Sequence, residues 1–410
     1  MNIENAQKEA ERTLAKYRPL AEDIAEKNFY RVLDAFREVR VSATHFNSGT
    51  GYGYNDDGRD RLETLYAAAF GTEAALVRQQ MVSGTHAISL ALFGNLLPGD
   101  ELLTVGMPYD TLQTVIGLQG NEPGNLKELG VSCRVVEIDF DNIDPQIVVA
   151  AIGPQTKMVS IQRSRGYAWR KTLSVQQIAS ITKAVKQAFP QVIVFVDNCY
   201  GEMVDHLEPS HFGADIVAGS LIKNLSAGIL PGGGYIVGKE NFIDRAACRL
   251  TVPGAGREMG ASLISNRHYF QSLFLAPQIV KEAVMGSVYA CAFLEALGCK
   301  VSPGTEEIRH DIVYAIEVGD PHKLAAWCQG IQKYSPIDSY VRPEPWDMPG
   351  YDSPVIMAGG SFVQGSTIEL SADAPMREPY ILYMQGGLNF NHVKYALVKT
   401  AEDMQKEGLL

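Results

Sequence analysis

The segment Val192-Ile193-Val194-Phe195-Val196, closed by Asp197, constrains the fold more than any other stretch of the chain. A nearly continuous apolar run of that length suits a strand covered on both faces. Such strands belong to parallel sheets shielded by crossover helices. The surroundings agree. Residues 61–70 read as a helix and 74–77 as a short strand. Up to about residue 240, strand-like runs (101–105, 132–137, 158–162, 216–218, 234–237) then alternate with helical ones (85–93, 112–117, 175–189 and from Gly201 onward). This alternation predicts an α/β fold with a mostly parallel central sheet. Ligands of such sheets sit beyond the carboxyl ends of the strands.

The flanks read differently. Residues 1–45 carry a helical stripe (Leu14, Ala21, Ile24, Ala25, Phe29, Val32, Leu33, Phe36). The glycine- and tyrosine-rich run 47–58 holds too many turn formers for helix or strand. After residue 260 comes a long helix at 279–297, then a strand (312–318), a helix (321–334), a proline-rich stretch (342–354), strands at 355–357 and 367–370, and a closing helix at 388–404. The expected division is a helical arm (1–50), a large ligand-binding domain (51–278) and a small α+β domain with an antiparallel sheet (279–410).

Composition narrows the function. Apolar residues are 46% and charged residues 20% of 410, which excludes wholesale disorder. No apolar run approaches the ~20 residues that cross a bilayer, and residues 1–16 lack the apolar core of a secretory signal. With 36 basic and 47 acidic residues the net charge is −11, which argues against nucleic acid or an anionic membrane as partner. The six cysteines are scattered, without CxxC pairs or Cys/His clusters. A reduced, cytoplasmic protein without a metal site is expected.

Four strand-end segments carry the chemistry. Lys223 closes an apolar strand in ADIVAGSLIKNLSAGILPGGGYIVG. It is either a solvated surface lysine or, among Leu221, Ile222, Leu225 and Ile229, an amine drawn out of water. In the second case its pKa is lowered and it is competent for Schiff-base chemistry. Asp197 is either a helix cap or a carboxylate that keeps a heteroaromatic nitrogen protonated, as pyridoxal phosphate requires. Ser83-Gly84-Thr85-His86 opens a helix, as an ordinary cap or as a phosphate cradle. Tyr109, after Pro108, either packs or stacks on a planar group. His86 reads as a first-turn helix residue, and Asp205-His206 as a polar pair facing solvent rather than a catalytic dyad.

In that order along the chain, these pieces resemble fold-type-I pyridoxal-phosphate enzymes of the cystathionine/methionine lyase branch. The segments GYGYNDDGRDRLE, QQMVSGTHAI, PYDTL, IQRSRGYAWR, VDNCYGE and SLIKNLSAGILPGGGYIVG look like its methionine γ-lyase-like, aluminium-resistance subfamily. The resemblance implies that Lys223 holds the cofactor covalently and moves protons. It implies that Asp197 pairs with the pyridine nitrogen and that Tyr109 stacks on the ring and is a possible acid. Ser83, Gly84, Thr85 and Ser220 would grip the phosphate. Ile222 stands where the branch has a threonine, leaving one phosphate hydroxyl to come from elsewhere. Tyr52 and Tyr54, with Arg59 and Arg61, match a segment that reaches a neighbouring subunit's phosphate, which implies a homodimer or homotetramer with shared sites. The branch's carboxylate-binding arginine is absent from residues 380–387, which leaves Arg377, Arg165 and Arg163 as candidates for the substrate carboxylate. The implied reaction is α,β- or α,γ-elimination from a sulfur amino acid. The same lysine and aspartate would also serve an aminotransferase or a non-catalytic binder.

Overall fold

The computed structural model describes residues 2–120, 122–348, 351 and 353–410. In chain order the elements are α1 (Ile3–Glu38), α2 (Asp57–Phe70), β1 (Ala74–Arg78), α3 (Gly84–Asn95), β2 (Glu101–Val105), α4 (Asp110–Ile116), β3 (Ser132–Val136) and α5 (Pro145–Ala151). Then come β4 (Thr156–Gln162), α6 (Val175–Ala188), β5 (Ile193–Asp197), β6 (Ile216–Ser220), β7 (Gly234–Gly238), α7 (Glu240–Leu250) and α8 (Arg267–Ala296). The chain finishes with β8 (Lys300–Ser302), β9 (Val313–Glu317), α9 (Pro321–Lys333), β10 (Val355–Ala358), β11 (Ser371–Pro375), β12 (Ile381–Gln385) and α10 (Phe390–Lys406).

The larger sheet runs β1-β7-β6-β5-β4-β2-β3. The pairs β6–β5, β5–β4, β4–β2 and β2–β3 are parallel, whereas β7 is antiparallel to both β6 and β1. The expected sheet is thus mixed at one side, because the turn after Lys223 sends the chain straight back along β6. Every residue of β5 is buried, as its composition demands. The register sets Gln162 beside Asp197 and Asp197 beside Ala218, so β4 and β5 end level and β6 runs two residues further, to Ser220.

The smaller sheet, β10-β11-β12-β9-β8, is antiparallel throughout. α1 packs along α8 and joins both cores. Ile3, Ala6, Ala10 and Leu14 enter the core of the small sheet, and Val32, Ala35 and Val39 that of the large one.

Three expectations need correction. No helix follows Gly201: Tyr200 and Met203 adopt left-handed backbone (φ 70 and 63). The Glu208 carboxylate there accepts from the Met203 N–H and the Asn198 amide, each at 2.8 Å, and fixes a compact turn. The strand expected at 367–370 begins instead at Ser371. The preceding residues hold other segments, Thr367 N–H donating to the Ile222 carbonyl (3.2 Å) and Gly387 N–H to the Ile368 carbonyl (2.7 Å). Asp205 is buried rather than part of the surface. The proline-rich stretch lies partly outside the described residues. No helix of the described residues is long and apolar enough to cross a membrane.

Candidate active site

A cavity of about 390 Å³ opens at the carboxyl rim of β4, β5 and β6. Its wall takes Ser83, Gly84 and Thr85 from the start of α3, Tyr109 from the residue before α4, Asp197 from the end of β5, and Ser220 and Lys223 from β6 and the turn beyond it. Residues up to 140 positions apart in sequence meet here because parallel strands end at one edge.

Each residue is placed by local chemistry. The Ser83 hydroxyl accepts from the His86 N–H at 3.0 Å and starts α3, while His86 Nδ1 accepts from the Val82 N–H, as a first-turn residue would. Thr85 Oγ1 and the Tyr109 hydroxyl lie 2.8 Å apart. The Tyr109 N–H donates to Gln162 Oε1 at 2.9 Å, which ties the tyrosine to the end of β4. A Cβ on Gly84 would stand 2.8 Å from the Ser220 Cβ and 3.4 Å from the Cys199 sulfur. Bare backbone is therefore needed where α3 meets β6. Asp197 is buried, and its Oδ1 accepts from the Cys199 N–H at 3.1 Å.

Lys223 corrects one expectation. Burial alone would lower its pKa, but Cys199, Tyr200, Asp197 and Tyr109 surround it and push it well above the usual lysine value. Burial also raises the Cys199 thiol, the Tyr109 phenol and the Asp197 carboxyl above their ordinary values, and the Lys223 charge works against each of these shifts. The ammonium also lies over the ring of Tyr200, 3.8 Å from its centre. The lysine is out of bulk water, yet it is held charged until something neutralises its pairing.

The arginines divide. Arg377, exposed on the turn between β11 and β12, and Arg165, whose Nη1 donates to the Ser302 carbonyl (2.9 Å) and hydroxyl (2.8 Å), both line the cavity. Arg163 does not. Its guanidinium is fully buried away from the cavity, donating to Asp205 Oδ2 at 2.6 Å and Asn198 Oδ1 at 2.7 Å, with Glu208 at 3.7 Å. With its fork engaged by these buried acceptors, Arg163 leaves the set of substrate candidates. Tyr52 and Tyr54 also lie outside this cavity. Both are more than half exposed, with ring centres 5.8 Å apart. Arg59 fixes the loop beneath them, donating to the carbonyls of Gly53 (2.7 Å) and Gly260 (3.2 Å), and Arg61 donates to the Val39 carbonyl.

Other wall residues escaped the sequence reading. Cys199 and Tyr200 were legible in principle, since they lie two and three residues after Asp197. Tyr167 and Tyr351 also line the cavity. Behind Tyr167 lies the buried carboxyl of Asp373, for which the sequence carries no signal. Among the described residues no His/Cys/Asp/Glu group could hold a metal ion.

The sequence model of the family described as Methionine gamma-lyase matches residues 3–405. The chain belongs to this methionine gamma-lyase family. It is 48% identical to the uncharacterized protein YnbB of Bacillus subtilis over 98% of this chain and 96% of that one. A solved carbon-sulfur lyase involved in aluminum resistance from Clostridium novyi superposes with a TM-score of 0.93 at 45% identity, covering 98% of this chain and 96% of that one. The pyridoxal-5'-phosphate-dependent protein YhfS of Escherichia coli, 18% identical, shares the fold at a TM-score of 0.62 over 93% of this chain and 97% of that one. The fold-type-I class expected from the sequence therefore holds, as does membership of a family of carbon–sulfur lyases. Family and fold imply pyridoxal phosphate, and the residues present fit it. A glycine-backed, hydroxyl-bearing helix start, an aromatic ring, a buried carboxylate and an enclosed amine share one cavity.

Proposed function

We propose that this protein removes a sulfur group from an amino acid by α,β- or α,γ-elimination, with Lys223 as the covalent anchor and proton carrier. The observation that supports this most is the meeting of Lys223, Asp197, Tyr109 and the Ser83–Thr85 turn in one cavity from four separate segments.

When bound, pyridoxal phosphate would supply the electron sink for the charge left on the substrate's α-carbon. The chain's own residues do the rest. The Ser83, Thr85 and Ser220 hydroxyls and the N–H groups beside Gly84 would hold the phosphate at the start of α3. Asp197 would keep a proton on the ring nitrogen, and the Tyr109 ring would cover one face. Lys223, freed of its positive charge, would take the α-proton. Arg377 and Arg165 would orient the substrate carboxylate. The exposed pair Tyr52 and Tyr54 fits a role across a homodimer or homotetramer interface, reaching a neighbouring copy's phosphate.

The test is a product assay on the purified protein with L-cystathionine, L-methionine and L-cysteine, following keto acid and thiol. Thiol and keto acid without an added amino acceptor are expected. A keto acid formed only with an acceptor would identify an aminotransferase. A visible chromophore lost on borohydride treatment and missing in Lys223→Ala would report the covalent anchor; its absence from the unmodified protein would remove the reading.

A further inference from the structure

The chain leaves β4 in a loop whose ends are tied together, the Leu173 N–H donating to the Arg163 carbonyl at 3.0 Å. Ser164, Arg165 and Tyr167 of this loop line the cavity. The β8–β9 hairpin of the smaller sheet holds the loop through Asp311 and Ser302. Asp311, buried just before β9, accepts through Oδ2 from the Ser164 and Thr172 hydroxyls, each at 2.6 Å. Its Oδ1 accepts from the Val313 N–H at 3.2 Å. Ser302, the last residue of β8, receives Arg165 Nη1 on its carbonyl at 2.9 Å and on its hydroxyl at 2.8 Å.

Arg165 is almost wholly buried, yet its charge is not met as that of Arg163 is by Asp205 at 2.6 Å. Among the described residues only the neutral Ser302 accepts from its fork, and Nε is buried without a partner. A guanidinium so placed in a cavity wall, with N–H groups to spare, suits a carboxylate that arrives from outside.

We propose that Ser302 and Asp311 are positioning residues that aim Arg165 at the substrate's α-carboxylate, so that the smaller sheet helps to shape a site whose lysine lies on the larger one. This rests on the amino-acid substrate of the reading above. A free arginine gives up much rotamer freedom when it clasps a carboxylate. Ser302 fixes Nη1 beforehand, so less is lost when the substrate binds. Asp311 fixes the backbone that carries the arginine. An ionised carboxyl only accepts, so the hydroxyls near either end of the loop are drawn to one oxygen. An amide at position 311 could still receive both hydroxyls on its oxygen, but its NH2 would then meet the Val313 N–H, donor against donor.

The experiment uses protein loaded with pyridoxal phosphate and compares Arg165→Lys, Ser302→Ala, Asp311→Asn and Thr172→Val with the unmodified chain. Glycine and glycine methyl ester are bound and followed by visible absorption. L-methionine and its methyl ester are turned over, and thiol release gives kcat and KM. An ester lacks the charge that an arginine would hold. The quantity read is the preference for acid over ester, which a merely structural role would not move, since both ligands would suffer alike. Arg165→Lys should reduce the preference by about ten- to a hundredfold. Ser302→Ala and Asp311→Asn should each reduce it by about two- to tenfold, with the loss in KM rather than kcat. Adding Asp311→Asn to Arg165→Lys should reduce it no further, because the carboxylate acts through the arginine. Thr172→Val removes one hydroxyl of the tie without touching a buried charge, and its preference should fall as well; it decides the matter if Asp311→Asn does not fold. A preference unchanged in the folded Ser302 and Asp311 or Thr172 variants, or undiminished in Arg165→Lys, would overturn the proposal. Absence of thiol from any sulfur amino acid would instead sink the lyase reading, while the glycine pair still tests Arg165 and the residues behind it.

Discussion

Lys223 Nζ stands 3.8 Å from the centre of the Tyr200 ring, and the backbone that presents this ring is left-handed, with φ 70. An aromatic residue rarely adopts that region, and holding it there costs on the order of 1–3 kcal/mol. The turn is secured by the residue after the lysine. Asn224 donates from Nδ2 to the carbonyls of Tyr200 (3.0 Å) and Glu202 (2.8 Å). The ring and the amine are thus fixed relative to one another by a single side chain. Replacing Tyr200 with leucine removes the π face under the ammonium, an interaction of about 2 kcal/mol when desolvated. The Lys223 pKa should fall. Capture of pyridoxal phosphate by borohydride, measured against pH, should then set in at lower pH than in the unmodified protein. An unshifted profile would mean that Asp197 alone keeps the lysine charged.

Arg163 and Arg377 should separate stability from substrate binding. Removing the Arg163 guanidinium takes away the buried cation that Asp205 and Glu208 share, leaving Asp205 with His310 at 3.1 Å and Glu208 with Arg31 at 3.7 Å. Breaking a buried pair from one side costs about 3–5 kcal/mol, so Arg163→Ala should unfold at a markedly lower temperature. Arg377 is exposed, and Arg377→Ala should change stability by no more than about 0.5 kcal/mol. Its effect should appear as a raised KM. Thermal melts and steady-state kinetics on the two variants decide the matter; a KM defect confined to Arg165→Ala would move the carboxylate to that arginine.

Glu202 predicts a pH dependence of folding. Its carboxyl is buried beneath the site and accepts from the Tyr235 hydroxyl at 2.9 Å, and burial pushes its pKa up to about 8 from an ordinary value of 4.5. The folded protein therefore binds a proton that the unfolded chain has already released between those two values. Below about 4.5 the group has no effect on stability. As pH rises toward 8 it reduces stability by about 1.4 kcal/mol per unit, and above 8 the loss levels off. Glu202→Gln keeps an acceptor for Tyr235 without the ionisation, so denaturant melts from pH 5 to 9 should show a shallower decline. An identical slope would place the charge elsewhere.

What the sequence revealed depended on how local its signal was. The rim was legible because β4, β5 and β6 are short apolar runs, and the residue ending each run falls at the ligand edge by topology alone. Lys223 and Asp197 needed only that rule, whereas Ser220 came from the family resemblance. Asp373 lies in Ser371-Ala372-Asp373-Ala374-Pro375, whose small residues and terminal proline give no strand alternation to read. Its place behind Tyr167 depends on how two sheets meet. Arg163 and Arg165, two residues apart, were indistinguishable in sequence because strand periodicity no longer holds once the chain leaves β4. The helix expected after Gly201 failed for a physical reason: Glu208 competes for the Met203 amide, and no period-based reading weighs a carboxylate five residues ahead.

Gly84 offers a test of the proposed phosphate cradle that needs no turnover. Alanine is favoured over glycine inside a helix by up to about 1 kcal/mol, so Gly84→Ala at the start of α3 would ordinarily be stabilising. Here the new methyl would stand 2.8 Å from the Ser220 Cβ, closer than carbon atoms can pack, and 3.4 Å from the Cys199 sulfur. Both neighbours are buried, and Ser220 is held in register against Gly234 of β7, so there is little room to retreat. Overpacking of this kind costs about 1–3 kcal/mol, which should outweigh the helix preference and lower the melting temperature of the cofactor-free protein. The displacement falls between the α3 N-terminus and Ser220, where the phosphate would sit. Affinity for pyridoxal phosphate, and for inorganic phosphate as a competitor, should drop by more than the stability change explains. A Gly84→Ala protein that binds both as tightly as the unmodified chain would show that the anion is held elsewhere.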